Sequence, residues 1–101
     1  MNHSTTAVSS FHASNLARTS ADYGRPFSIE TEDGVSPFDG SAWSIRRYRW
    51  AVGFSRFGQR QFFVLHVWSK NGATHSARFY SHVPQDSEEP WILLADVSTG
   101  H

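Results

Sequence analysis

A chain of 101 residues can bury one modest core, so a single domain is the upper bound. It has no cysteine, which excludes disulfides and thiolate metal sites, and its nine basic and nine acidic residues cancel, unlike the clear positive charge of a dedicated nucleic-acid binder. The balance hides a segregation: residues 40–85 hold seven of the nine basic residues, no carboxylate and ten of the fifteen aromatics, a +7 block between ends of −3 and −4.

The first 21 residues carry eight Ser or Thr, one Arg and no acid, too few arginines for a transit sequence and without the apolar stretch of a signal peptide. No apolar run approaches the roughly 20 residues of a membrane span, so the expectation is a soluble, cytoplasmic protein with no membrane partner. Val8, Phe11 and Asn15 share a helical face, but Leu16 falls off it and Ser/Thr density weakens a helix interior. Residues 1–25 therefore read as a flexible segment or a short docking helix, and 26–101 as a single antiparallel β-rich domain.

From Pro26 to Glu32 the chain alternates Phe27, Ile29 and Thr31 against Ser28, Glu30 and Glu32, a half-buried strand that Asp33-Gly34 should stop. Turn chemistry follows through Pro37 and Gly40. Three strands come next, about Trp43 to Phe57, Arg60 to Ser69 and Ala73 to His82. Asn71-Gly72 is a strong signal for a two-residue hairpin turn, and Gly58-Gln59 fits the Gly-first form.

If both loops are two residues long, the registers follow. Trp68 meets His75 and Leu65 meets Arg78, while Phe54 meets Phe63, Trp50 meets Val67 and Arg49 meets Trp68. One face then carries Tyr48, Trp50, Val52, Phe54, Phe63, Leu65, Val67 and Tyr80 and must be covered by another layer. The other is mixed, with Arg47 and Arg49 beside Phe62, Val64, His66, Trp68, His75, Ala77 and Phe79. A one-residue slip would exchange the faces.

Residues 86–97 support two readings. Asp86 with Glu89 is a capping-box pattern, but Pro90 falls where a helix needs an amide, and Trp91-Ile92-Leu93-Leu94 reads as a strand. The strand is preferred. The fold expected is mainly β, an antiparallel sheet of four to five strands, with an α+β form carrying a terminal helix as the alternative.

The mixed face has the makings of a base-stacking or docking platform, with an Arg49–Trp68 cation–π pair. The plainer reading is that its apolar centre is core beneath a terminal segment, with arginines reaching out at the edge. His66 and His75 are diagonal neighbours about 7 to 8 Å apart at Cα. They lack a third ligand, so they read as packing residues, and no metal or cofactor is expected. Ser55 faces a phenylalanine and no histidine, and the glycines are isolated, so neither a nucleophile elbow nor a phosphate loop is present. The Arg56–Val67 run is aromatic and basic but lacks the separated aromatic motifs of sheet-type RNA binders.

The function expected is therefore non-enzymatic: an inhibitor or adaptor, of the kind a mobile element encodes, that docks on a larger protein or nucleoprotein. Its contact residues are Arg47, Arg49, His66, Trp68 and His75, with Arg46 and Arg56 as rim charges. Single-stranded nucleic-acid binding on the same face is the alternative. A homodimer through a strand edge near Arg46 to Tyr48 is a third reading.

Overall fold

The computed structural model describes residues 5–99. Helix α1 (Thr5–Tyr23) precedes five strands: β1 (Ser28–Val35), β2 (Ala42–Phe54), β3 (Arg60–Lys70), β4 (Ala73–His82) and β5 (Trp91–Ser98). They form one antiparallel sheet in the order β1-β2-β3-β4-β5, the mainly β fold expected, with a helix on the N-terminal side. The part of the N-terminal segment before Thr5 lies outside the described residues.

The helix has few apolar anchors: Val8 is buried and Phe11 and, contrary to expectation, Leu16 pack against the core, but His12, Asn15 and Thr19 share that side. Burying an apolar side chain the size of Val8 is worth about 1.5 to 3 kcal/mol. Buried Asn15 is satisfied within the helix: its Nδ2 donates to the Phe11 carbonyl at 2.9 Å and its Oδ1 accepts from Arg18 Nη2 at 2.7 Å. At the end of the helix the Gly24 amide donates to the Ser20 carbonyl, and the Gly24 carbonyl accepts from Trp50 Nε1 at 3.0 Å. The helix therefore lies on the face that carries Tyr48, Trp50, Leu65, Val67, Ala77, Phe79 and Val97, which form one core with Val8.

Two turns behave differently from each other. Asn71 and Gly72 both take positive φ, 50° and 80°, which a two-residue turn matched to strand twist requires, and Lys70 pairs with Ala73 as expected. The β2–β3 loop is instead five residues, Ser55–Gln59. Ser55 closes it, its amide donating to the Gln59 carbonyl at 2.7 Å and its hydroxyl accepting from the Phe57 and Gln59 amides. Trp50 consequently pairs with Phe63 and not Val67, and Arg49 with Val64 and not Trp68. The longer loop contributes three residues of slip and a bulge in β2 one more, an even four in all, so Tyr48 and Trp50 keep the expected face.

Bulges correct the rest of the predicted core. Val52 is the extra residue between the Ala51–Phe62 and Gly53–Gln61 pairs, which turns Phe54 away from the core and leaves it exposed. His75 is the extra residue in β4, so Val67 meets Ala77 and Leu65 meets Phe79. Ala77 and Phe79 thereby enter the core, and Tyr80 moves to the opposite face.

At the first hairpin, β1 runs through Asp33-Gly34 to Val35. Gly34 is needed because the Trp43 ring lies over it: a Cβ there would sit 2.6 Å from Trp43 Cζ2. Toward the C-terminus, Asp86 accepts from the Glu88 and Glu89 amides at 3.0 Å, the local bonding of a cap, but the chain passes through Pro90 into β5. The preferred strand is the structure observed.

Two stability tests follow from this arrangement. Gly72→Ala forces a Cβ into positive φ and is expected to lower unfolding free energy by about 1 to 2 kcal/mol in urea titration. Trp50→Phe keeps most of the core packing but removes the donor to Gly24, and is expected to lower it by about 1 to 3 kcal/mol.

Candidate binding face

With α1 on one side, the mixed face is the uncovered one: among the described residues no element packs over it. Its apolar centre is sealed by its own side chains, and Val64 is fully buried there. The ring of His82 stacks on Trp91 at 3.7 Å and 10°. Tyr80 meets Trp91 edge-on at 5.5 Å and His66 at 5.1 Å. Phe27 and Phe62 continue the cluster toward β1 at 5.8 Å.

Trp68 stands apart from that cluster, edge-on to His75 at 5.3 Å. With Ile45 it forms the shared wall of two depressions. One, of about 430 Å³, is lined by His66, Trp68, His75, Arg78, Tyr80 and Ser98. The other, of about 390 Å³, is lined by Phe38, Trp43, Ile45, Trp68 and Lys70. Both volumes fall in the range of small pockets, and Trp68 is 37% exposed between them.

Charge on this face is balanced, contrary to the segregation of the sequence. Arg47 pairs with Glu32 and Arg49 with Glu30, each at 3.3 Å, and Lys70 pairs with Asp39 at 3.2 Å. Arg78 stands opposite Asp96 in the β4–β5 ladder. Such half-exposed pairs add little stability, but they offset the positive charge on this face. Hydrogen bonds from the Ser41 hydroxyl and amide, then the Lys70 ammonium, hold Asp39 well below the usual carboxylate range.

His66 is pushed down to about 4, first by burial and then by Arg47, Arg49 and Arg78. Burial followed by Arg49 also lowers His82. The centre of the face is therefore aromatic and uncharged near neutral pH. On this face His66 Nε2 and Arg49 Nε are buried without a protein hydrogen-bond partner.

The structure brings Arg47, Arg49, His66, Trp68 and His75 onto this one face. His75 reaches it as the bulge residue, tied to the end of β5 by Thr99, whose hydroxyl lies 2.9 Å from His75 Nδ1 and whose amide donates to the His75 carbonyl. Arg46 lies on the other face, lining a depression with His12, whose pKa is lowered by burial and by Arg46. Arg56 sits in the Ser55–Gln59 loop, its guanidinium carbon 4.8 Å from the Phe57 ring centroid. The expected Arg49–Trp68 stack does not form, because the longer loop and the Val52 bulge together place Arg49 opposite Val64 and Ile45 opposite Trp68.

Sequence reasoning missed Trp43, Ile45, Tyr80 and Trp91. The alternation of Trp91 and Leu93 along a strand would have placed Trp91, but Tyr80 was hidden by the bulge. Among the described residues no group of three or more His, Cys, Asp or Glu side chains is placed to hold a metal ion. No helix there is long and apolar enough to cross a membrane. No family model, no curated protein and no solved structure matches the chain.

The depressed His66 has a stability consequence. Between its ordinary value of 6.5 and its folded value of about 4, the unfolded chain binds the extra proton, so stability is full above 6.5 and falls as pH drops through this window. His66→Gln is expected to flatten the fall in urea midpoint between neutral and acidic pH, and the His66 ring resonance in NMR should titrate near 4.

Proposed function

We propose that this protein is a non-enzymatic binding module, an inhibitor or adaptor that docks the open sheet face onto a larger protein. The observation that carries the reading is an aromatic centre, exposed at Trp68 and Trp91, inside a rim whose arginines are already paired with carboxylates. Interfaces draw most of their energy from Trp, Tyr and Arg at the centre of a patch, and here Trp68, Trp91, Tyr80 and Arg78 occupy that position. A partner suited to it presents apolar side chains to the two depressions beside Trp68 and polar groups of both signs around them.

Charge balance works against the nucleic-acid alternative. Phosphate recognition draws on cations free to replace counterions, and Arg47, Arg49 and Lys70 would first have to leave Glu32, Glu30 and Asp39. The serine nearest a nucleophile motif, Ser55, is occupied in closing its own loop, which supports a non-enzymatic role.

The test compares the wild-type chain with Trp68→Ala and Arg49→Ala. Immobilised wild type is expected to retain a discrete host protein, with each variant lowering its affinity at least about tenfold. Tryptophan fluorescence should stay flat when single-stranded DNA or RNA is added, at low and at near-physiological salt. Saturable quenching that weakens with salt and vanishes in Trp68→Ala would reassign the face to nucleic acid. Full partner affinity in both variants would remove the face from the interaction.

A further inference from the structure

The sheet ends in two unlike edges, and neither is the Arg46–Tyr48 segment, which lies in β2 between β1 and β3. The β1 edge exposes Ile29 and Val35 but interrupts them with Glu30, Glu32 and Asp33, the usual charged defence against pairing with another chain. The β5 edge carries the reverse. Trp91, Ile92, Leu93 and Leu94 follow one another with 42%, 42%, 49% and 49% of their surface exposed. Asp96 is the one charged residue of this strand. Both ends of the segment are held to β4, by the Val83 amide donating to the Pro90 carbonyl and the Thr99 amide to the His75 carbonyl, so the strand is presented as a formed edge.

We propose that β5 is a homodimer edge: Trp91–Ser98 of two copies pair antiparallel about a two-fold axis, joining two five-stranded sheets into one. Charge selects a second copy in this arrangement over the other edge pairings. A β1–β1 contact sets the Asp33 carboxylates of two chains close together beside the ion-paired Glu30 and Glu32, and a β5–β1 contact sets apolar side chains against these charged groups and propagates without closure. The β5–β5 contact closes on itself and leaves the acidic β1 edges outermost, where they oppose further growth. A two-fold near Leu94 offsets the two Asp96 residues by about four positions along the paired strands, so no like charges meet. The net charge of zero adds no long-range repulsion between copies.

Leu94 is the extra residue of a bulge between the Phe79–Ala95 and Tyr80–Leu93 pairs. That bulge is the edge defence within β5 besides Asp96, and it interrupts a regular ladder. The copies are therefore held mainly by burial of Ile92, Leu93 and Leu94 and only partly by backbone hydrogen bonds. An axis perpendicular to the sheet keeps both α1 helices on one side and both open faces on the other. The dimer presents its docking face twice, which raises avidity for a repeated or dimeric partner.

Sedimentation equilibrium across a concentration series tests the proposal. The expected mass is twice the 11.4 kDa of the chain, falling toward a single chain on dilution. Leu93→Lys and Leu94→Lys, both at exposed positions, should keep the circular dichroism of the fold and raise the dissociation constant at least about tenfold. Hydrogen exchange across residues 91–98 should slow as wild-type concentration rises. A single-chain mass at millimolar concentration overturns the proposal, as does a dimer indifferent to both lysines or one that gives no added protection to 91–98. Partner capture by the open face is read separately, through Trp68→Ala, so either conclusion can fail alone.

Discussion

The indole of Trp50 decides which side of this sheet is inside. It is the largest fully buried side chain, and its Nε1 donates to the carbonyl of Gly24 at the end of α1. A helix with so few apolar anchors has a weak claim on any surface, and periodicity alone does not aim it. The bond from the middle of β2 to the helix terminus gives it a fixed attachment. Once α1 is held over Tyr48, Leu65, Val67 and Phe79, the opposite face has no described element left to cover it.

That opposite face is built to be stable without a cover. Its apolar centre is roofed by side chains of the same sheet, with His82 stacked on Trp91 and Tyr80 wedged between Trp91 and His66. The packing holds His66 neutral and leaves His66 Nε2 and Arg49 Nε buried and unpaired. The antiparallel meander also sets the acidic β1 strand beside the basic β2 strand, so carboxylates distant in sequence neutralise the arginines in space. Arg47, Arg49 and Lys70, three of the seven cations of the +7 block, are thereby paired.

Much of the fold was legible. The Asn71-Gly72 turn announces itself because type I′ geometry needs two residues tolerant of positive φ. Pro90 and the apolar run after it favour a strand over the helix that Asp86 would cap. The site was legible in composition and only partly in geometry. Arg47, Arg49, His66 and Trp68 were placed on one face because the three extra residues of the β2–β3 loop and the one of the Val52 bulge add up to an even number. Tyr80 and Phe79 were exchanged because a bulge adds one residue and inverts parity beyond it. The Ser55 hydroxyl that lengthens the loop and the His75 bulge tied down by Thr99 both depend on partners that local pattern does not reveal.

The sequence by itself determined that this is one small antiparallel β domain, rich in aromatics and without thiol chemistry, and it located the turn between β3 and β4. These are consequences of side-chain alternation, turn stereochemistry and composition, which act over a few residues. Tertiary structure alone decided which face is covered, which charges cancel and which edges remain open. Those outcomes depend on contacts between distant segments: Trp50 with Gly24, Glu30 and Glu32 with Arg49 and Arg47, and β5 left as the outer strand with one bare apolar edge.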